Sequence, residues 1–229
     1  MRGKFVAIEA MDAAGKQTQS KLLAEKLGAL LISFPRYETE IGKLIQANLK
    51  GKWAACYGGV ADQEDGWDPK ANAIVRQSLF TLDRYDAAPE IKRALASGRS
   101  VVCDRYWLSG LMYGASDLVD SGMLERVHEC LPQPDVWVLL DVPVEESFRR
   151  RPERQDVYER DREKLEGIRR RYIEQFQMRS RFVHKGNCPV AGTVAEVPRP
   201  RCTCDVRKWV VVRGVGTIEQ VHERIMGVI

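Results

Sequence analysis

The stretch "FVAIEAMDAAGKQTQ", residues 5–19, decides the fold, because it joins a buried strand to a helix through a turn built around Gly-Lys. Residues 4–10 form an apolar run of strand length, as expected for a strand covered on both faces. Residues 16–28 carry Leu22, Leu23 and Leu27 at helical spacing and stop on Gly28. A phosphate-binding loop needs this frame: a strand, a tight turn, then a helix whose free N–H groups face an anion. The pattern G-x-x-x-x-G-K-S/T is met at Gly15 and Lys16, but Ala10 replaces its first glycine and Gln17 its hydroxyl. Thr18 is the adjacent hydroxyl, and Ala10 is a mild change unless its position needs a positive φ. In isolation the stretch reads equally well as a helix cap that contains Gly-Lys by chance, so the rest of the chain has to decide.

Outward from this stretch the strand–helix alternation repeats. Residues 29–34, 99–104, 135–141 and 208–214 are further buried-strand candidates. Helical patterns cover 40–49, 107–114, 118–131, a charged stretch from about 143 to 183, and a closing helix from 217. The chain also reads as helical from Pro69 to an end at Gly98, with Pro89 marking a break or a new start. Residues 51–69 are Gly-rich without period and read as a surface loop or flap. This order predicts an α/β fold: a five-stranded parallel sheet flanked by helices in three layers, as one domain over residues 1–229.

Composition narrows the function classes. A chain of 229 residues buries roughly 70% of its unfolded surface and needs no disulfide or metal to fold. The formal charge of +4 suits anionic small substrates and falls far short of a dedicated nucleic-acid binder. No run approaches the roughly eighteen apolar residues of a membrane span. The scattered Cys56, Cys103 and Cys130 suggest reduced thiols and a cytoplasmic protein. Asp104 ends the third strand, where a carboxylate for a nucleotide-bound Mg²⁺ is expected; a strand-end cap or ion-pair partner is the competing reading.

With these segments in hand, the chain resembles the thymidylate kinases of the P-loop nucleoside monophosphate kinase superfamily. The resemblance rests on residues 5–19 with Asp12, "SFPRYETEIGKLI" (33–45), the block 79–114 with "DRYWLS", "DVYERD" (156–161) and the closing helix, all in register. It covers about residues 4–182 and 208–229 and implies the three-layer P-loop kinase fold. The implied activity is transfer of the ATP γ-phosphoryl group to dTMP, with Mg²⁺; the implied assembly is a homodimer. It implies that Ala13, Ala14, Gly15, Lys16, Gln17 and Thr18 hold the ATP phosphates. It implies Asp104, through water, and more weakly Thr18, as metal contacts. The implied dTMP site is Asp12, Phe34, Arg36, Phe80, Arg84, Arg105, Ser109, Tyr113 and Tyr158. Phe80 and Arg84 are four apart on a predicted helix, so a ring to stack on a base stands beside a guanidinium for its carbonyl edge. Asp12, Lys16 and Arg105 are the expected catalytic groups. Other dNMP acceptors, or a catalytically weak nucleotide-binding protein, are the alternatives that Ala10 and Gln17 keep open.

Some thymidylate kinases carry an arginine in the phosphate loop itself. Here those positions are Ala13 and Ala14, so the cation is expected from a lid at about 149–160, with Arg154 ranked before Arg150. A solvated basic helix end is the competing reading of that run. Residues 184–207 have no counterpart that the resemblance supplies and read as an irregular insertion. His184, Cys188, Cys202 and Cys204 could make a four-ligand zinc site, but the spacing is unlike common zinc motifs, and a plain loop with free thiols is preferred. No membrane or nucleic-acid partner is expected.

Overall fold

The computed structural model describes residues 2–52, 69–151, 161–181 and 207–229. Five strands, β1 (Phe5–Glu9), β2 (Leu30–Ser33), β3 (Val101–Asp104), β4 (Val136–Asp141) and β5 (Lys208–Arg213), join one sheet in the order β2-β3-β1-β4-β5. Every pairing is parallel. β1 is central, with Ile8 opposite Asp104 on one side and Val138 on the other. The described helices are α1 (Lys16–Leu27), α2 (Glu40–Leu49), α3 (Pro69–Ala96), α4 (Trp107–Ser116), α5 (Ser121–His128), α6 (Val144–Arg150), α7 (Arg162–Arg181) and α8 (Ile218–Met226).

The period of two along β1 explains its unbroken apolar pattern. Phe5 and Ala7 enter a core layer with Ile91 of α3, Leu108 of α4 and Phe176 of α7. Val6 and Ile8 enter the opposite layer with Leu23 of α1 and Val221 and Ile225 of α8. On the first side Trp137 stacks on Trp209 with centroids 4.9 Å apart, and Phe176 meets Trp209 edge-on at 5.2 Å. The Arg179 guanidinium lies over both Trp209 and Trp107.

Two expectations need correction. The helix from Pro69 does not break or restart at Pro89. Ala87, Ala88, Ile91 and Leu95 are buried on either side of the proline, while Pro89 itself is exposed. The backbone carbonyl that loses its N–H partner therefore lies toward water, and packing outweighs the local cost. The charged stretch 143–183 is not one helix. α6 ends at Arg150, and Arg151, which precedes Pro152, leaves the helical region at φ −139°. The zinc candidates His184, Cys188, Cys202 and Cys204 lie outside the described residues, as do most of the loop 51–69 and of the lid.

Gly42 on α2 is pressed against the chain leaving β2; a β-carbon there would lie 1.8 Å from the Arg36 carbonyl oxygen. Gly42→Ala is therefore expected to lower stability by about 1–3 kcal/mol in urea unfolding, against the gain that alanine ordinarily brings to a helix.

Candidate active site

The loop between β1 and α1 emerges at the carboxyl edge of the sheet, beside the end of β3, where parallel sheets present their ligand crevice. Ala13 (φ 58°) and Gly15 (φ 89°) both adopt the left-handed region, and Gly15 caps α1 without a side-chain partner. The first turn of α1 thus turns its N–H groups toward the crevice. Ala10 keeps a negative φ, so the missing first glycine costs the backbone nothing at that position.

Three side chains from other segments fasten this loop by its carbonyls. Arg105 Nη1 donates to Ala10 O at 2.9 Å, Ser147 Oγ to Asp12 O at 2.7 Å, and Arg150 Nη1 to Ala14 O at 3.1 Å. Arg150 also donates through Nε to Glu146 at 2.8 Å and through Nη2 to Gly214 O at 2.9 Å, so all three of its nitrogens are engaged within the protein. The side chain of Arg154, the other lid candidate, lies outside the described residues, as does Tyr158.

Charge converges on Asp12. Its carboxylate accepts from Arg105 Nη2 and, at 2.7 Å, from the Tyr113 hydroxyl, and Lys16 Nζ stands 3.5 Å away. Burial alone would raise its pKa; the Arg105 and Lys16 charges prevail and hold it well below the usual carboxylate value of 3.8. Burial lowers the Lys16 ammonium, with Arg105 pushing the same way, while Asp12 and Asp104 oppose. Burial also raises Asp104, against the pull of Lys16 and Arg105. The Asp104 Oδ1 is buried and has no hydrogen-bond partner among the described residues, which suits an oxygen set aside for a hard cation. Gln17 and Thr18 are both exposed on the first turn of α1.

A cleft opens beside this cluster, lined by Asp12, Phe34, Pro35, Tyr37, Leu49, Gln77, Phe80, Arg84, Arg105, Ser109, Gly110 and Tyr113. Arg84 lies 5.9 Å from the centroid of the Phe80 ring, and its Nε and Nη1 are buried with no hydrogen-bond partner among the described residues. Arg36 is not in the lining. It is turned onto α3, where it pairs with Asp83 at 2.8 Å and Asp86 at 2.5 Å.

Four residues of this region went unnoticed in the sequence: Glu9, Gln77, Ser147 and Tyr172. Glu9 is fully buried and accepts from Tyr106 N (2.9 Å), Ser109 N (3.3 Å), Ser109 Oγ (2.6 Å) and the Tyr172 hydroxyl (3.0 Å). Burial raises its pKa, and those donors together with Arg105 oppose the rise. A carboxylate inside an apolar strand was the available signal, since buried acids are almost always partnered. Ser147, Gln77 and Tyr172 carry no comparable mark in the sequence.

The thymidylate kinase family model matches residues 8–190. The chain belongs to the thymidylate kinase family. It is 34% identical over 185 residues to the protein named "Probable thymidylate kinase" of Pyrococcus horikoshii, covering 78% of this chain and 85% of that one. The similarly named protein of Pyrococcus abyssi is 30% identical over 236 residues, covering 100% of this chain and 97% of that one. The human thymidylate kinase is 32% identical over 155 residues, covering 65% and 66%. Among solved structures, a thymidylate kinase from Candida albicans superposes with a TM-score of 0.59 at 26% identity, covering 76% of this chain and 77% of that one.

Two outcomes follow from the site geometry. Ala10→Gly should leave kcat/KM within about threefold, because the position does not need a left-handed backbone. Asp12→Asn should lower kcat by about a hundredfold or more, since two cations lose the carboxylate that positions them. A depressed carboxylate contributes stability that is complete above its unfolded value and is lost as pH falls through its folded value. The stability gap between wild type and Asp12→Asn should therefore stay constant from about pH 5 to about pH 8 and narrow below about 3.8 in pH-dependent denaturation.

Proposed function

We infer that this chain transfers the γ-phosphoryl group of ATP to dTMP, giving ADP and dTDP. The observation that carries the reading is the meeting of two walls in one cleft. One wall is the phosphate loop with Asp12, Lys16 and Arg105; the other is Phe80 with Arg84, whose Nε and Nη1 have no hydrogen-bond partner among the described residues.

Phosphoryl transfer asks the protein for positioning and charge stabilisation rather than covalent chemistry. The backbone of Ala13, Ala14 and Gly15 and the first turn of α1, with Gln17 and Thr18, receive the ATP phosphates. Lys16 supplies the cation nearest the moving group. Mg²⁺ would be held by Asp104, with Thr18 in reach, and supplies neutralisation of the β- and γ-phosphate charge. Arg105 holds the acceptor phosphate while Asp12 fixes the angle of its guanidinium. Arg36 joins that clamp only after leaving Asp83 and Asp86. Phe80 stacks on the base and Arg84 donates to a carbonyl of its edge. Phe34 and Ser109 complete the wall, and Tyr113, with Tyr158 from the lid side, crowds the sugar 2′ position in favour of deoxyribose. Arg150, with every nitrogen engaged, steadies the loop and the base of the lid, which leaves Arg154 as the lid cation. We also place the enzyme in the cytoplasm as a homodimer, for which the exposed Ile74 and Leu82 on α3 offer apolar surface. No described helix is long and apolar enough to cross a membrane.

The test is ADP release from ATP and Mg²⁺ with dTMP, dUMP, dCMP, dGMP and dAMP as acceptors. A clear preference for dTMP is expected; tight ATP binding without turnover on any acceptor would overturn the reading. Arg84→Ala should raise KM for dTMP by about 10–100-fold, the worth of a charged hydrogen bond in a dry site, with a smaller effect on kcat. Gln17→Thr should lower the Mg²⁺ concentration needed for half-maximal rate; an unchanged requirement would show that the Thr18 hydroxyl already serves.

A further inference from the structure

Gln77 lies on α3 seven residues before Arg84, two helical turns along the same face. It is only 1% exposed, and both carboxamide atoms, Oε1 and Nε2, are buried with no hydrogen-bond partner among the described residues. A buried amide that makes none of its bonds is expensive unless something else supplies them. Gln77 lines the same cleft as Phe80 and Arg84. Its place is made by two glycines one turn apart on α4. A β-carbon on Gly114 would touch the Gln77 side chain at 3.4 Å. One on Gly110 would stand 3.5 Å from Gln77 Oε1 and 3.1 Å from Arg84 Nη1. The glycine pair thus lets the amide and the guanidinium reach the floor of the cleft side by side.

We propose that Gln77 is a base-reading residue: its Oε1 accepts the thymine N3–H and its Nε2 donates to a neighbouring carbonyl, while Arg84 donates to the other exposed acceptor. This rests on the dTMP reading above and extends it. A carboxamide can turn over to suit either hydrogen-bond pattern, but a guanidinium only donates. Arg84 therefore demands a carbonyl; set on the 4-oxo group, it meets an amino group in cytosine, and in thymine it leaves Gln77 beside the N3–H, which Oε1 accepts, and O2, to which Nε2 donates. The pair together matches the lactam edge of thymine or uracil and opposes the amino group of cytosine.

The experiment compares wild type with Gln77→Leu, a change of similar volume, on dTMP and on N3-methyl-dTMP, which lacks the N3–H. Both kcat/KM and, by calorimetry, Kd are measured. Gln77→Leu should lower kcat/KM for dTMP about tenfold, mostly through KM, and leave that for N3-methyl-dTMP nearly unchanged, so their ratio shrinks about tenfold. An equal loss on both nucleotides would assign Gln77 a structural role and overturn the proposal, and so would no loss on either. Gly110→Ala supplies an independent check, because alanine ordinarily strengthens a helix. It should keep the KM for ATP and weaken dTMP, and undiminished dTMP affinity would count against the shared niche. Failure of wild type to bind or turn over dTMP at all would instead overturn the functional reading, and this one with it.

Discussion

Arg105 is the constraint on which the site depends. Its backbone N–H donates to Ile8 O in β1, and its φ of 63° turns the chain sharply at the end of β3. That turn sends the guanidinium across to the neighbouring loop, where it meets Ala10 O, Asp12, Ser109 Oγ and the Tyr113 hydroxyl. A left-handed conformation costs a non-glycine residue about 1–2 kcal/mol, and here the fan of charged and polar contacts offsets it. The loop after β1 and the start of α4 are thereby tied to one another through a single side chain.

Beneath this surface cluster lies a second, wholly buried one. Glu9 takes the N–H groups at the start of α4 and the hydroxyls of Ser109 and Tyr172, so a single carboxylate ties β1 to α4 and α7. Ser109 belongs to both clusters, since its Oγ also accepts from Arg105. Removing one member of such a network leaves the rest buried and unpaired, which costs more than the bond itself. These bonds join α7 to α4 at the residue, Ser109, that also lines the cleft.

The departures from the phosphate-loop pattern resolve differently. Ala10 sits at a negative φ with its carbonyl held by Arg105, while the left-handed strain has moved to Ala13. Gln17 is a change of chemistry rather than of backbone: it stands where the pattern has a hydroxyl next to the lysine. The loop geometry is ordinary, and Lys16, Asp12 and Arg105 form one ion-paired cluster beside it.

How much of this was legible in advance depended on distance along the chain. The five strands, the phosphate turn and the pairing of Phe80 with Arg84 could be read from the sequence, because each arises from periodicity or from neighbours within one helical turn. Asp12, Arg105 and Asp104 could be placed near one another because parallel strands carry their ends to one edge of the sheet. Pro89 misled, since local chemistry argues for a break and only the buried residues around it show why the helix continues. The attachment of Arg36 to Asp83, the reach of Arg150 to Ala14 O and Gly214 O, and the burial of Gln77 against Gly110 and Gly114 join residues 33 to 136 positions apart. Such contacts are set by how helices pack on the sheet, and no local pattern records them. The charged groups of the site were thus written locally, and which of them meet, and which are buried, was decided by tertiary packing.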